Sequence, residues 1–275
     1  MNVNMLARIQ SKLARSLISL GGRARHETML RSILDGAVSD GPEMATLVIT
    51  GKTREVEIFA ALHPLMTRHG INYCIDVGGH CGGFGGGLYG YLGFRGTCVS
   101  FEPVGSFHEA MTAQARRHAG WRTVNAGVSD GAGNGQIRLG EGHGGTSSLL
   151  PSTCLLDGLA PDARLAGRQE SIRLVRLDEH LRDDLENASH RILVKVDTQG
   201  SELAVLRSLG AHIGKVSLLV VECAAQALYA GQPLFEDVLR WLREHGFSPA
   251  FVANNFGVDG VYYDYDVIFV RSPGR

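Results

Sequence analysis

The chain has 275 residues, 44% of them hydrophobic and 20% charged, and its formal net charge of -1 leaves no global positive field to hold nucleic acid or anionic lipid. The expected partner is therefore a small molecule, with no nucleic acid and no stable membrane insertion, because no uninterrupted apolar stretch approaches the roughly 20 residues that span a bilayer. Cys74, Cys81, Cys98, Cys154 and Cys223 are odd in number and form no Cys-x-x-Cys pair, which reads as buried thiols in a reducing cytoplasm.

This length is long for one domain and short for two, and no Pro/Ser-rich linker divides it. The expectation is an N-terminal helical extension over 1–70 followed by one α/β domain over 71–275. From Met1 to Leu34, Leu6, Ile9, Leu13, Leu17 and Leu20 recur at helical spacing with Arg8, Lys12, Arg15, Arg23 and Arg25 between them. Such a basic amphipathic helix packs on its own domain or on a second copy as a homo-oligomer, or else attaches to a membrane surface or acts as a presequence. Val56, Phe59, Leu62, Leu65 and Met66 mark a second helix that Gly70 ends, with a kink or break at Pro64.

A strand over Asn72 to Val77 runs into a turn crowded with glycine, and a glycine-rich helix over Gly82 to Gly93 follows. Thr97 to Phe101 is a second strand closed by Glu102-Pro103. Ser106 and Glu109 have the spacing of a capping box, which opens a helix through His118. Arg122 to Val128 reads as a third strand, and Asn134 to Pro151, carrying His143-Gly-Gly-Thr-Ser-Ser148, as a mobile loop. Ile172, Leu174 and Leu177 suggest a short strand before Asp178. Ile192 to Val196 is an apolar strand interrupted only by Lys195, then a helix over Leu203 to Leu209 stops at Gly210. A strand over Val216 to Val221 ends in Glu222, a helix runs from Pro233 to His245, and strands at Phe247 to Ala253 and Val267 to Val270 close the chain. Strands alternating with helices predict a mostly parallel sheet covered on both faces.

Asp76, Glu102, Asp197 and Glu222 all stand at strand ends, and in an open α/β sheet ligands bind outside those carboxyl ends. Glu102 follows the glycine turn by about twenty residues, the spacing at which a carboxylate reaches the ribose hydroxyls of a nucleotide cofactor. A dinucleotide fingerprint can be read at Gly85, Gly87 and Gly90, but it lies well beyond the strand. Asp76-Val77-Gly78 with Gly82 is closer to the Asp-x-Gly-x-Gly-x-Gly turn of Rossmann-like methyltransferases, with His80 in the middle glycine's place.

Over Asn72 to Val270 the sequence resembles the FkbM-type S-adenosylmethionine-dependent methyltransferases. Asp76 to Gly82 is similar to the family's Asp-Val-Gly-Ala-Asn-x-Gly, Phe101-Glu102-Pro103 to its Phe-Glu-Pro, and Ser129-Asp130 to its Ser-Asp. Ser147-Ser148-Leu149, Leu177-Asp178 and the run from Lys195 to Leu206 match further motifs in the same order. The resemblance implies a Rossmann-like class I methyltransferase fold with a seven-stranded sheet. It also implies S-adenosylmethionine over Asp76, Gly78, His80, Gly82, Glu102, Pro103, Ser129, Asp130 and Asp197, and methyl transfer to a hydroxyl of a sugar or natural product. Gly79 and His80 replace the usual Ala-Asn, so cofactor hydrogen bonds that Asn offers would depend on an imidazole.

Asp197 is the first candidate for a catalytic group, because the end of that strand faces the methyl group in this fold, with Glu202, His143 and Glu222 behind it. Its competing role is to cap the helix beginning at Ser201. His143 and His180 are alternative bases, and Asp178, Asp197 and Glu222 offer oxygen ligands to Mg²⁺ without any ligand-loop spacing, so no metal site is assigned. A turn at Asn254-Asn255-Phe256 and the tyrosines Tyr262, Tyr263 and Tyr265 suit a hydroxyl-rich acceptor. The rival functions are a nicotinamide-dependent oxidoreductase and a non-catalytic S-adenosylmethionine-binding protein.

Overall fold

The computed structural model describes residues 53–140, 145–159, 165–258 and 261–272. The basic N-terminal segment and His143 lie outside the described residues. Among the described residues, no helix is long and apolar enough to cross a membrane.

A seven-stranded sheet forms the centre, built from β1 (Tyr73–Val77), β2 (Thr97–Phe101), β3 (Trp121–Val124), β7 (Ile192–Val196), β8 (Val216–Ala224), β9 (Phe247–Val258) and β10 (Val261–Arg271), in the order β3-β2-β1-β7-β8-β10-β9. All neighbours are parallel except β10, which runs antiparallel to both β8 and β9. The order reverses between β1 and β7, the place where a crevice opens at the strands' carboxyl ends.

Side chains of β1 alternate between two cores. Tyr73, Ile75 and Val77 join Ile192, Val194 and Val196 on one face, where α5 (Leu177–His180), α6 (Arg182–Glu186), α7 (Glu202–Arg207) and α8 (Phe235–Glu244) pack. Cys74 and Leu193 join Phe59, Leu62, Leu88 and Met111 on the other, beneath α1 (Thr53–His69), α2 (Gly83–Gly90) and α3 (Gly105–Ala115). Burial on both faces is why these strands read as continuous apolar runs. Three of the cysteines, Cys74, Cys98 and Cys223, are buried thiols, whereas Cys81 is half-buried and Cys154, the first residue of α4 (Cys154–Leu159), is exposed.

Several elements depart from the sequence reading. Helix α1 runs through Pro64 without a break, since Pro64 is on its exposed side, where water can take the carbonyl left without a donor. The expected third strand divides: after Val124 the chain leaves the main sheet, and β4 (Gly127–Val128) enters a second one. That sheet has the order β4-β6-β5, with β5 at Gly133–Gly140 and β6 at Leu165–Val175. Much of the segment expected as a loop is thus strand β5, and Ser148 is tied back to it by paired backbone bonds with Arg138. Helix α3 begins at Gly105, so Ser106 and Glu109 form no capping box. Its first N–H groups are taken by the carboxylates of Glu102 and Glu170, at 2.9 Å from Val104 N and 3.1 Å from Gly105 N. Asn254-Asn255-Phe256 lies inside strand β9 and forms no turn.

Candidate active site

At the switch point a cavity of about 360 Å³ opens between the two sheets, lined from Glu102 and His80 at one end to Asp197, Gln199, Glu222 and Asn255 at the other. Its first half is built on the ends of β1 and β2. Glu102 is only 5% exposed. Its Oε2 accepts the His80 N–H at 2.8 Å and its Oε1 the Val104 N–H at 2.9 Å. Burial pushes its carboxyl up to about 7, against those two hydrogen bonds. Phe101, Pro103, Phe107 and Val128 supply apolar wall beside it. Asn125 fixes this corner through its amide, which donates to the carbonyls of Glu102 and Pro103.

His80 has φ +47° in the left-handed region, and its ring lies against Phe107 with centroids 4.3 Å apart. Its backbone N–H makes the contact with Glu102. Gly78 is fixed by crowding: at φ +78° an added Cβ would lie 1.8 Å from the Asp197 carbonyl oxygen. Two glycines of α2 answer to packing, since a Cβ on Gly85 would meet Trp121 at 2.2 Å and one on Gly87 would meet Phe59 at 2.2 Å, whereas Gly83 faces open space. Gly82 likewise faces Trp121 and Met111 and does not line the cavity.

Asp76 lies beneath this loop, wholly buried. Its Oδ2 accepts the Ser100 hydroxyl at 2.8 Å, and Oδ1 is 3.5 Å from Lys195 Nζ with no hydrogen-bond partner. Burial raises its pKa, and Lys195 and Ser100 oppose that rise. Lys195 joins the two loops, since Nζ donates to the Gly78 carbonyl at 2.8 Å and is 3.4 Å from Asp197 Oδ2. Burial disfavours its charge, but Asp197, Asp76, Asp266 and Glu222 outweigh burial and hold its pKa above the usual lysine range.

The second half is polar. Gln199, at φ +55°, donates through Nε2 to Asp197 Oδ1 at 3.0 Å and to Glu222 Oε2 at 2.7 Å, while its Oε1 accepts the Tyr229 hydroxyl at 2.8 Å. Asn255 donates its amide to Glu222 Oε1. Burial pushes the Glu222 carboxyl well above the carboxylate range, and the negative charges of Asp197, Asp264, Asp266 and Glu202 push it further.

The helix that follows Ser201 has no side-chain cap, so the capping role considered for Asp197 is not taken. Glu202 Oε1 accepts N–H groups from Thr198 at 3.2 Å and Gly200 at 2.9 Å, so it holds the turn before the helix and does not line the cavity. Pro103 lines the cavity, whereas Ser129 and Asp130 do not. The Ser129 N–H bonds to Val175, and the Asp130 carbonyl accepts Arg176. Asp178 pairs with Arg176 at 2.6 Å, and its N–H bonds to Ser208 beyond the far end of α7, away from Asp197 and Glu222. His180 is edge-on to Phe101 outside the cavity, and Tyr262, Tyr263 and Tyr265 do not line it. Phe107 and Tyr229 went unread in the sequence. Neither carries a local signal, because each reaches the cavity only through the fold.

The Methyltransferase FkbM domain family matches residues 77–249, more than half of the chain. The chain belongs to the FkbM methyltransferase family. Its sheet order is that of the Rossmann-like class I methyltransferase fold, as expected from the sequence. No curated protein matches it. Among solved structures it is similar to methyltransferase FkbM from Methylobacillus flagellatus KT, at 14% identity and TM-score 0.45, over 72% of this chain and 43% of that one. The chain thus spans less than half the length of that relative. It is also similar to magnesium protoporphyrin IX methyltransferase from Synechocystis PCC 6803 with bound S-adenosylmethionine, at 10% identity and TM-score 0.40, over 78% of this chain and 79% of that one.

As an FkbM methyltransferase the protein uses S-adenosylmethionine. The residues present fit that group. A buried carboxylate with a raised pKa lacks O–H donors, which a ribose diol supplies, and the neighbouring wall of Phe101, Pro103 and Phe107 suits a flat apolar ring.

Proposed function

We propose that this FkbM methyltransferase methylates a hydroxyl on a small molecule of the sugar or natural-product class. The observation that carries the reading is the single cavity joining Glu102 and its apolar wall to the carboxylates of Asp197 and Glu222. Glu102 and the backbone of Gly78 to His80 would hold the cofactor, and Asp197 would lie next to the acceptor oxygen. The cofactor supplies a methyl group on a positively charged sulfur. Asp197 would take the proton that the acceptor hydroxyl gives up as its oxygen accepts that methyl group. Alignment and exclusion of water provide most of the rate, with the carboxylate needed because the hydroxyl starts protonated.

The test is incubation with S-adenosylmethionine and a panel of sugars and hydroxylated natural products, reading S-adenosylhomocysteine release and the mass of the acceptor. Methylation at oxygen supports the reading. Transfer only to nitrogen or carbon would replace it, and a thermal shift given by NAD but not by S-adenosylhomocysteine would favour an oxidoreductase.

A further inference from the structure

We propose that Gln199 is a positioning residue whose side-chain amide holds Asp197 and Glu222 as two separate proton acceptors on the acceptor side of the cavity. The inference rests on reading that cavity as a methyl-transfer site. One nitrogen serves both carboxylates, with a hydrogen to Asp197 Oδ1 at 3.0 Å and another to Glu222 Oε2 at 2.7 Å. The direction of the amide is set by the two acids, which accept from its nitrogen, and the Tyr229 hydroxyl, buried in its own apolar cluster and shared with the Thr146 carbonyl at 3.1 Å, supports it from behind at 2.8 Å from Gln199 Oε1. The backbone is clamped as well, since the Gln199 carbonyl accepts at 2.6 Å the hydroxyl of Ser148, which is bridged to β5 at Arg138.

The conformation adds a separate argument. Gln199 has φ +55°, a region where glycine is at ease and a branched or long side chain costs free energy, and Gly200 stands next to it. A strained non-glycine residue is explained when its side chain is needed. Without the amide, two carboxylates in a crowded acidic setting would meet each other directly, and the protonation of one would change the other. The groups facing Glu222 are Asp197 from the end of β7, Glu202 from α7, Asp264 and Asp266 from β10, Tyr229 from the loop after β8, and Lys195 as the counter-cation. Asn255 holds the other oxygen of Glu222 from β9. An amide donates to both acids without accepting a proton itself, which keeps each available to a hydroxyl.

The test is a side-chain carboxyl ¹³C NMR titration of Glu222 in the full chain, comparing wild type with Gln199→Gly. Glycine removes the amide and relieves the left-handed backbone, so a purely structural role leaves the midpoint unmoved. The inference expects the Glu222 midpoint to rise by about one pH unit in Gln199→Gly, and by a smaller step in the same direction in Tyr229→Phe. With an acceptor from the panel, kcat should fall about tenfold or more while KM changes little. An unmoved midpoint in Gln199→Gly overturns the inference. Should that variant not fold, an unmoved midpoint in Tyr229→Phe overturns it equally. Failure of wild type to bind S-adenosylhomocysteine strikes the methyltransferase reading instead, and the titration needs no cofactor.

Discussion

The loops after β1 and β7 meet across the switch point, and each holds a non-glycine residue in the left-handed region, His80 at φ +47° and Gln199 at φ +55°. They differ in which part of the residue makes the contacts. At His80 the backbone N–H binds Glu102 and the ring rests on Phe107, whereas at Gln199 the side-chain amide joins Asp197, Glu222 and Tyr229. A residue kept for its backbone tolerates replacement, and one kept for its side chain does not. The N–H that His80 gives to Glu102 is one that any non-proline residue offers, Asn included.

The largest effect should come from the contact between the two loops. Gly78→Ala places a methyl group against the Asp197 carbonyl at a positive φ, and we expect a loss of about 3 kcal/mol or more, seen as a lowered Tm. A Tm equal to wild type would mean that the loops part easily. Next, Asp197→Asn should lower kcat about a hundredfold with little change in cofactor affinity, since a proton acceptor acts in the transition state. If affinity falls and turnover holds, Asp197 serves the cofactor alone.

Glu102→Ala should weaken S-adenosylhomocysteine binding about tenfold to a hundredfold, from the loss of a charge-assisted contact to the ribose hydroxyls. The pH dependence follows from the same group. Its folded pKa of about 7 exceeds the usual carboxylate value, so Glu102 contributes stability at low pH that is lost as pH rises through 7. Cofactor hydroxyls favour the ionised form, so affinity should rise over the interval in which apo stability falls, and level off above about pH 7. Glu102→Gln should remove this part of both trends, read by thermal melts and calorimetry from pH 5 to 8. The smallest effect is expected for His80→Asn, with cofactor affinity within about threefold of wild type, because the backbone donor is retained. A larger loss would give the imidazole a part in binding.

The same contrast explains what could be read from the chain. Ile192–Val196 was legible because its five residues are buried on both faces and an acid and a glycine turn close it. Asp197 and Glu102 were legible as residues just past strand ends, and Glu222 as an acid near one although β8 runs on to Ala224; all three line the cavity. The second sheet was not, since Gly133–Gly140 is mostly polar and glycine-rich, and only its long-range pairing with Leu165–Val175 makes it a strand. Nor could Gly85 and Gly87 of α2 be assigned to packing, because Trp121 and Phe59 press on them from distant parts of the sequence. The start of α3 was misread for a related reason: its donors are met by Glu102 and Glu170, neither of which belongs to a local capping pattern.

Glu102 and the turn after β1 are proposed to hold S-adenosylmethionine beside Asp197. Isothermal calorimetry with S-adenosylhomocysteine at pH 6.5, in two buffers of different ionisation enthalpy, tests this most directly. The expected result is one site per chain that releases a proton on binding in wild type, with weaker binding and no such release in Glu102→Gln. Equal binding by both proteins without proton release, or binding of NAD alone, would contradict it.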